Sequence, residues 1–168
     1  MDRGRVGKNT VSIFKYEGVI RKAIIALKYK FSLEIAKELA EACVKQLSPR
    51  RYLSSAVLVP IPMHWRKENI RGFNQSAEVG RMIAQKKGWK FESNLLIKTK
   101  STPPQVGLKG SARRENLDGV FSLNSQSRIP GFVVLFDDVY TTGSTITEAG
   151  NILKKGGAKR VLGLTIAR

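Results

Sequence analysis

One segment, residues 134–145, constrains the fold of this chain more than any other part of the sequence. Its sequence, VLFDDVYTTGST, passes from an apolar strand through the adjacent carboxylates Asp137 and Asp138 into a hydroxyl-rich turn and then a helix. A strand, turn and helix in that order are typical of α/β sheets, whose ligands bind at the carboxyl ends of the strands. The segment therefore predicts a ligand site at the end of this strand.

The turn has the composition of an anion-binding cradle, with hydroxyls beside the free backbone N–H groups of a helix start. The residues of the cradle are Thr141, Thr142, Gly143, Ser144 and Thr145. A phosphate suits such a cradle, whereas the two carboxylates suit ribose hydroxyls, which donate hydrogen bonds, or a divalent metal ion. The alternative is an ordinary strand end with a Ser/Thr helix cap. The segment matches neither a Walker A loop nor a Gly-x-Gly-x-x-Gly turn.

The rest of the chain alternates between helical and strand patterns. Helices are expected from Gly18 onwards and over about 33–47, 75–87 and 144–155. Strands are expected at 56–61, 95–97, 119–123, 132–136 and 161–167. The clearest of these strands are apolar throughout, which is typical of strands buried on both faces. This pattern predicts an α/β fold with a mainly parallel central sheet flanked by helices.

The length of 168 residues indicates one domain with a buried core. We divide the chain into a basic N-terminal tail, residues 1–15, and a single α/β domain, residues 16–168. Residues 62–74 are expected to form a polar loop. Residues 98–116 contain two adjacent prolines, two glycines and several Lys and Arg residues, and a basic loop of that length is usually functional or disordered.

The charge of the chain indicates anionic partners. There are 30 Lys and Arg residues against 13 Asp and Glu residues, which gives a net charge of +17. A folded domain this basic suits nucleic acid, phosphorylated metabolites or an anionic membrane surface. Aromatic residues near basic ones would offer stacking platforms for single-stranded bases, or would belong to the core: Trp65, Phe73, Trp89 and Tyr140.

Cysteine and histidine are represented by one residue each, Cys43 and His64. This excludes an intrachain disulfide framework and a zinc site with two or more thiolates, and no metal ligands are assigned. Cys43 falls on an apolar helix face and is expected in the core, while His64 has either a structural or a chemical role. No apolar run is long enough to span a membrane and no secretory signal is visible, so a cytoplasmic protein without membrane insertion is expected.

The 134–145 segment resembles the phosphoribosyl pyrophosphate (PRPP) signature of the type I phosphoribosyltransferases. From about residue 16 to residue 168, the chain also resembles the ComF family of competence-associated, phosphoribosyltransferase-like proteins. Besides the PRPP segment, the strings that carry this resemblance are Tyr16-Glu17-Gly18, Leu27-Lys28-Tyr29, Val59-Pro60-Ile61-Pro62, Arg71-Gly72-Phe73-Asn74-Gln75, Pro104-Gln105 with Leu108, Arg113 and Asn116, and Gly156-Gly157-Ala158.

The resemblance implies a role for each part of the site. The cradle over 141–145 would hold the 5′-phosphate of PRPP or ribose 5-phosphate, Asp137 and Asp138 would hold the ribose hydroxyls, and Mg²⁺ would accompany PRPP. Arg66 and Arg71 would lie on the pyrophosphate side. The basic loop would be the mobile flap that closes over PRPP, with candidate residues Gln105, Lys109, Arg113 and Arg114.

The resemblance also implies a function in DNA uptake during natural transformation, with single-stranded DNA and a competence helicase as partners. Two alternatives stay open: a working phosphoribosyltransferase that joins PRPP to an unknown nitrogen acceptor in nucleotide metabolism, and a PRPP-sensing regulator that binds nucleic acid. No nucleobase pocket is identified, so catalytic residues stay unassigned. The chain departs from its relatives in two ways. Its single cysteine leaves no room for the cysteine-rich zinc segment common in ComF members, which is missing from this sequence by nature or by truncation. Thr141 stands at the position of the proton-accepting acid of some transferases.

Overall fold

The structure is a computed structural model that describes residues 9–30, 32–47, 55–100 and 119–168. Within these ranges the helices are α1 (Gly18–Tyr29), α2 (Leu33–Gln46), α3 (Trp65–Arg71), α4 (Gln75–Lys87) and α5 (Ser144–Lys155). The strands are β1 (Thr10–Phe14), β2 (Val57–Pro60), β3 (Lys90–Phe91), β4 (Leu96–Lys98), β5 (Phe121–Leu123), β6 (Phe132–Val139) and β7 (Arg160–Ala167).

Five strands form a central sheet in the order β1-β7-β6-β2-β3, and every pairing within it is parallel. β6 is central, with Phe136 paired to Pro60 of β2 on one side and to Leu164 of β7 on the other. β4 and β5 form a separate antiparallel pair. The parallel α/β fold expected from the alternating pattern is confirmed.

The sheet is apolar on both faces because helices cover both of them. Successive strand residues point to opposite faces, so β6 supplies two clusters. Val134 and Phe136 pack into a cluster with α1, α2 and α4, whereas Val133 and Leu135 pack into a second cluster with α5 and the β4–β5 pair. Cys43 is buried in the first cluster, as expected for a core residue, and burial raises the pKa of its thiol to about 12.

Residues 10–14 correct the expected boundary of the N-terminal tail. They form β1, which pairs with β7 in register from Thr10 opposite Gly163 to Phe14 opposite Ala167. The backbone N–H groups and carbonyls of β7 gain a partner in this way, and Ser12 adds a hydroxyl hydrogen bond of 2.8 Å to Thr165. The first eight residues of that tail lie outside the described residues.

The polar loop expected over 62–74 contains a short helix, α3. Its sequence, WRKENIR, has no apolar periodicity, and none of its residues is buried, so the sequence offers no amphipathic signal. His64 begins the helix, because its Nδ1 accepts a hydrogen bond of 3.3 Å from the backbone N–H of Arg66. This contact supports the structural interpretation of His64.

One expectation from the sequence, the basic loop, depends mainly on residues outside this description. Residues 101–118 contain most of the basic loop, including Gln105, Lys109, Arg113 and Arg114. Across the described parts of the chain, no helix is both long and apolar enough to cross a membrane.

Candidate functional site

A cleft of about 250 Å³ opens at the carboxyl end of β6, beside the loop that follows β2. Four cationic side chains line it: Lys28 from α1, Lys67 and Arg71 from α3, and Lys98 from β4. Asp137 and Thr145, from the segment that the sequence singles out, also line it. The cleft therefore combines a strongly positive lining with one carboxylate and the hydroxyls of Ser76 and Thr145, at the edge of the sheet where ligands bind in α/β folds.

The turn between β6 and α5 stands beside the cleft, and the start of α5 forms one wall of it through Thr145. Gly143 has the left-handed φ of 75°, and a Cβ there would overlap the ring of Tyr140. The Thr142 and Ser144 hydroxyls are hydrogen bonded to each other at 2.9 Å, and Thr145 reaches the cleft. The first N–H groups of α5 have no intrahelical acceptor, and glycine at the N-cap has no side chain to accept them. This wall can therefore donate hydrogen bonds to an anion.

The two adjacent carboxylates occupy different environments. Asp138 is buried, with 6% of its surface exposed, and its Oδ2 lies 2.8 Å from Lys28 Nζ. The same oxygen accepts a hydrogen bond of 3.0 Å from Gln75 Nε2. Asp137 lines the cleft, and its Oδ1 accepts hydrogen bonds from Ser76 Oγ at 3.0 Å and from the Asp138 backbone N–H at 2.9 Å. Asp138 thus anchors the neighbouring helices, while Asp137 faces the ligand space.

Burial raises the pKa of Asp137 to about 7, and the negative charge of Asp138 adds to this effect. The two hydrogen bonds to Oδ1 and the positive charge of Lys28 act in the opposite direction. No described residue donates a hydrogen bond to Asp137 Oδ2. Near neutral pH both the protonated and the ionised forms of this carboxyl group are therefore accessible, and a cation or a hydroxyl donor at Oδ2 would favour the ionised form.

The residues of the cleft fit a divalent cation only if a bound ligand supplies most of its coordinating oxygens. Within the described ranges there is no group of three or more His, Cys, Asp and Glu side chains that could hold a metal ion. Asp137 Oδ2 offers one hard oxygen ligand of the kind that Mg²⁺ prefers. The remaining ligands would be phosphate oxygens, hydroxyls and water, as is usual for Mg²⁺ bound with a phosphorylated substrate.

The segment Arg71-Gly72-Phe73-Asn74-Gln75 builds the opposite wall through its turn. Gly72 ends α3 with a left-handed φ of 82°. Asn74 then caps α4, because its Oδ1 accepts the backbone N–H groups of Ser76 and Ala77, and its Nδ2 donates to the Ile61 carbonyl at 3.1 Å. The turn holds the start of α4 against the end of β2.

The same turn connects a cation to the buried carboxylate. Arg71 donates a hydrogen bond of 2.6 Å to Gln75 Oε1, and Gln75 donates onward to Asp138. Burial and the positive charge of Lys67 lower the pKa of Lys98, and the negative charge of Asp137 partly offsets this lowering.

The cations of the cleft therefore repel one another in the absence of a ligand. Such an arrangement indicates a site that binds an anion.

The structure brings together part of the set that the sequence predicts. Asp137, Thr145 and Arg71 line the cleft. The other described residues of the predicted set do not: Asp138, Thr141, Thr142, Gly143, Ser144 and Arg66. Arg66 instead lies 5.2 Å above the ring of Trp65. The roles of all these residues in binding PRPP stay predictions. The sequence reasoning missed five further residues at the site: Lys28, Lys67, Gln75, Ser76 and Lys98. Lys28 and Gln75 belong to strings that carry the family resemblance, which is the signal that could have found them.

Comparison of the sequence with known proteins identifies relatives named for DNA use and competence. No protein-family model matches the sequence. The DNA utilization protein YhgH of Salmonella typhi is 30% identical over 156 residues, which covers 90% of this chain and 68% of that protein. Competence protein F of Haemophilus influenzae is 33% identical over 66% of this chain and 49% of that protein. Competence protein ComFC of Bacillus subtilis is 26% identical over 94% of this chain and 63% of that protein.

Comparison of the fold with solved structures identifies enzymes that share it. The glutamine PRPP amidotransferase of B. subtilis matches with a TM-score of 0.50 and 21% identity, over 78% of this chain. The allosteric regulatory enzyme of purine biosynthesis matches equally well. This chain spans only about a quarter of the length of either of those proteins, and the likeness shows the fold alone. With a relative 30% identical over two thirds of its length and this fold, the chain belongs to the ComF family and has the fold of the type I phosphoribosyltransferases.

Proposed function

We propose that this chain binds PRPP, or the related ribose 5-phosphate, together with Mg²⁺ in the cleft at the end of β6. We also propose that it acts in DNA uptake, where it binds single-stranded DNA and works beside a competence helicase. The observation that carries the first part is the meeting of Asp137 and Thr145 with four cationic side chains in one cleft of about 250 Å³. The names of the relatives and the net charge of +17 support the second part.

Each part of the cleft matches one part of PRPP. The N–H groups and hydroxyls at the start of α5 would hold the 5′-phosphate. Asp137 would accept hydrogen bonds from the ribose hydroxyls, and Asp138 would keep Lys28 and Gln75 in place beside them. Lys28, Lys67 and Arg71 would neutralise the pyrophosphate. Bound Mg²⁺ would supply further charge neutralisation to the same group.

Isothermal titration calorimetry of PRPP with Mg²⁺ tests the first part. We expect binding by the native chain and at least about tenfold weaker binding by Asp137→Asn, because the charged acceptor for the ribose hydroxyls is lost. Gly131→Ala is the matched control, since a Cβ at Gly131 would lie in open space, at the opposite end of β6 from the cleft. Absence of PRPP binding by the native chain would contradict this part of the proposal.

A second cleft favours catalysis as an additional candidate function. It has a volume of about 470 Å³ and shares Pro62, Met63, Asn74 and Lys98 with the first cleft. Trp65 contributes an aromatic side chain to it, and Asn94 and Asn124 contribute amide groups that both donate and accept hydrogen bonds. A planar nitrogen acceptor bound there would be adjacent to the ribose of PRPP.

Transfer in this arrangement would form a bond between the acceptor nitrogen and C1 of the ribose. The bond from C1 to pyrophosphate would break with its electron pair leaving on pyrophosphate, and the nitrogen proton would pass to solvent. Release of pyrophosphate on addition of nitrogen heterocycles or ammonium tests this candidate. A rate above that of hydrolysis, reduced by Trp65→Ala, would support it, whereas release at the hydrolytic rate with every acceptor would oppose it.

A further inference from the structure

A separate groove adjoins the cationic wall of the cleft at the end of β6. No part of PRPP is assigned to this groove. It has a volume of about 340 Å³ and is lined by Lys28, Tyr29, Lys67, Ile70, Arg71 and Phe73. We call these six residues the α1–α3 groove. Three of them, Lys28, Lys67 and Arg71, also line the cleft, so one row of cations separates the two spaces.

The outer part of the α1–α3 groove exposes apolar surface. Tyr29 is 81% exposed and Ile70 is 89% exposed, although both are large side chains that usually lose most of their exposure on folding. None of the described residues that line the groove is acidic. A surface that combines exposed ring and aliphatic groups with three cations, and lacks carboxylates, suits a ligand with both flat apolar faces and negative charges.

Single-stranded nucleic acid has this combination along its whole length. Its phosphates carry regular negative charge, and its bases stack on aromatic and apolar side chains without regard to sequence. Duplex DNA has its bases already stacked on one another and offers mainly phosphates. An acidic protein surface would match the cations but would leave Tyr29 and Ile70 without an equivalent partner.

We propose that the α1–α3 groove binds single-stranded nucleic acid and that PRPP and the strand compete for the protein. The proposal rests on the proposed function and adds to it the binding surface and the relation between the two ligands. Backbone phosphates contact Lys28, Lys67 and Arg71, and bases pack on Tyr29 and Ile70. Because the pyrophosphate of PRPP requires the same three cations, two sets of phosphates on them repel each other.

The sequence offers Phe73 as a candidate stacking residue for single-stranded bases, and Phe73 lines this groove. The basic loop with Lys109, Arg113 and Arg114 lies outside the described part of the chain. The α1–α3 groove is assembled from α1 and from α3 with the turn that follows it, two segments that are distant in sequence. Contacts from the basic loop would add to binding in the groove, whereas competition with PRPP requires the shared cations.

Fluorescence anisotropy of a labelled oligothymidylate tests the inference. We expect the native chain to bind the oligonucleotide and to release it when PRPP with Mg²⁺ is added, but not when sodium chloride is added to the same ionic strength. Tyr29→Ala and Ile70→Ala should each weaken oligonucleotide binding at least about fivefold. Calorimetry should show unchanged PRPP affinity for both variants, because neither side chain lines the cleft.

Two control variants separate the possible explanations. Val19→Ala removes an equally exposed apolar side chain from the first turn of α1 and should leave oligonucleotide binding unchanged. Asp137→Asn should reduce release by PRPP while the oligonucleotide still binds. If the native chain binds the oligonucleotide but both groove variants bind it normally, or PRPP fails to release it, the inference is wrong and the proposed DNA-binding function stands. If the native chain does not bind the oligonucleotide, both are wrong.

Discussion

The two walls of the cleft at the end of β6 differ in what they offer to a ligand. The wall at the start of α5 presents backbone N–H groups and hydroxyls around Gly143 and Thr145, which carry partial charges. The opposite wall presents the full charges of Lys28, Lys67 and Arg71. The first wall therefore depends on backbone conformation and the second on side-chain charge, so different substitutions should disable them.

The largest effect is expected from Gly143→Ala, which changes the wall at the start of α5. The left-handed φ of 75° disfavours any side chain, and the new Cβ would overlap the Tyr140 ring. We expect the free energy of unfolding to fall by roughly 2–4 kcal/mol, with loss of PRPP binding. Urea denaturation and calorimetry measure the two effects. Gly131→Ala is the control, and equal stability of the two variants would show that the turn is not conformationally demanding.

The next effect concerns the contribution of the carboxylates between the walls to stability, and this contribution depends on pH. The pKa of Asp137 rises on folding from 3.8 to about 7, so between these values the folded chain binds more protons than the unfolded chain. The contribution of Asp137 to stability therefore falls as pH rises through this range and then stays constant. The difference in free energy of unfolding between Asp137→Asn and the native chain should therefore shift in favour of the variant by roughly 1–3 kcal/mol as pH increases from about 5 to about 8.

Asp138→Asn provides the contrast for that measurement. Asp138 is buried beside Lys28, so loss of its charge leaves a partly buried cation without its partner. We expect this variant to lose roughly 1–3 kcal/mol at neutral pH. Urea denaturation of both variants at several pH values gives the comparison. If Asp137→Asn lowers stability at about pH 8 as much as Asp138→Asn does, the two carboxylates have the same structural role.

A smaller effect on binding distinguishes Arg71, which belongs to the charged wall, from Arg66, which does not. Arg71 lines the cleft and bonds to Gln75, whereas Arg66 lies over Trp65. We expect Arg71→Ala to weaken PRPP binding roughly tenfold and Arg66→Ala to change it less than about twofold. Calorimetry at low and high salt measures both. Equal losses from the two substitutions would mean that the bound state brings Arg66 into the cleft.

The same contrast between the walls explains how much of the site could be predicted from the sequence. The α5 wall is one continuous string, so the strand, the acids and Gly143 could all be recognised together. The charged wall joins α1, α3 and β4, whose cations are far apart in sequence and resemble the many other Lys and Arg residues of the chain. Only tertiary contacts identify Lys67 and Lys98 among them, whereas Lys28 also belongs to a string that carries the family resemblance.

The fold shows the same limit on a larger scale. Long apolar strands and periodic helices predicted the parallel sheet, because burial on both faces leaves a clear pattern. β1 and α3 were missed for physical reasons. β1 is a half-buried edge strand of five residues whose pairing with β7 depends on the other end of the chain. α3 buries none of its residues, and the caps at His64 and Gly72 set its length.

The smallest expected effect comes from Ser76→Ala, which removes one hydroxyl from the boundary between the walls. Ser76 donates to Asp137 Oδ1 at 3.0 Å, and this hydrogen bond favours the ionised carboxylate. Its loss should raise the pKa of Asp137 further and lower stability by about 1 kcal/mol. Carboxyl carbon NMR measures the titration. Ser12→Ala removes a comparable hydroxyl bond to Thr165 between β1 and β7 and should leave the Asp137 titration unchanged. Because the two variants lose similar bonds, a shift confined to Ser76→Ala would show that α4 tunes the charge state of the ligand-facing carboxylate. Identical titrations would mean that burial and Asp138 alone determine it.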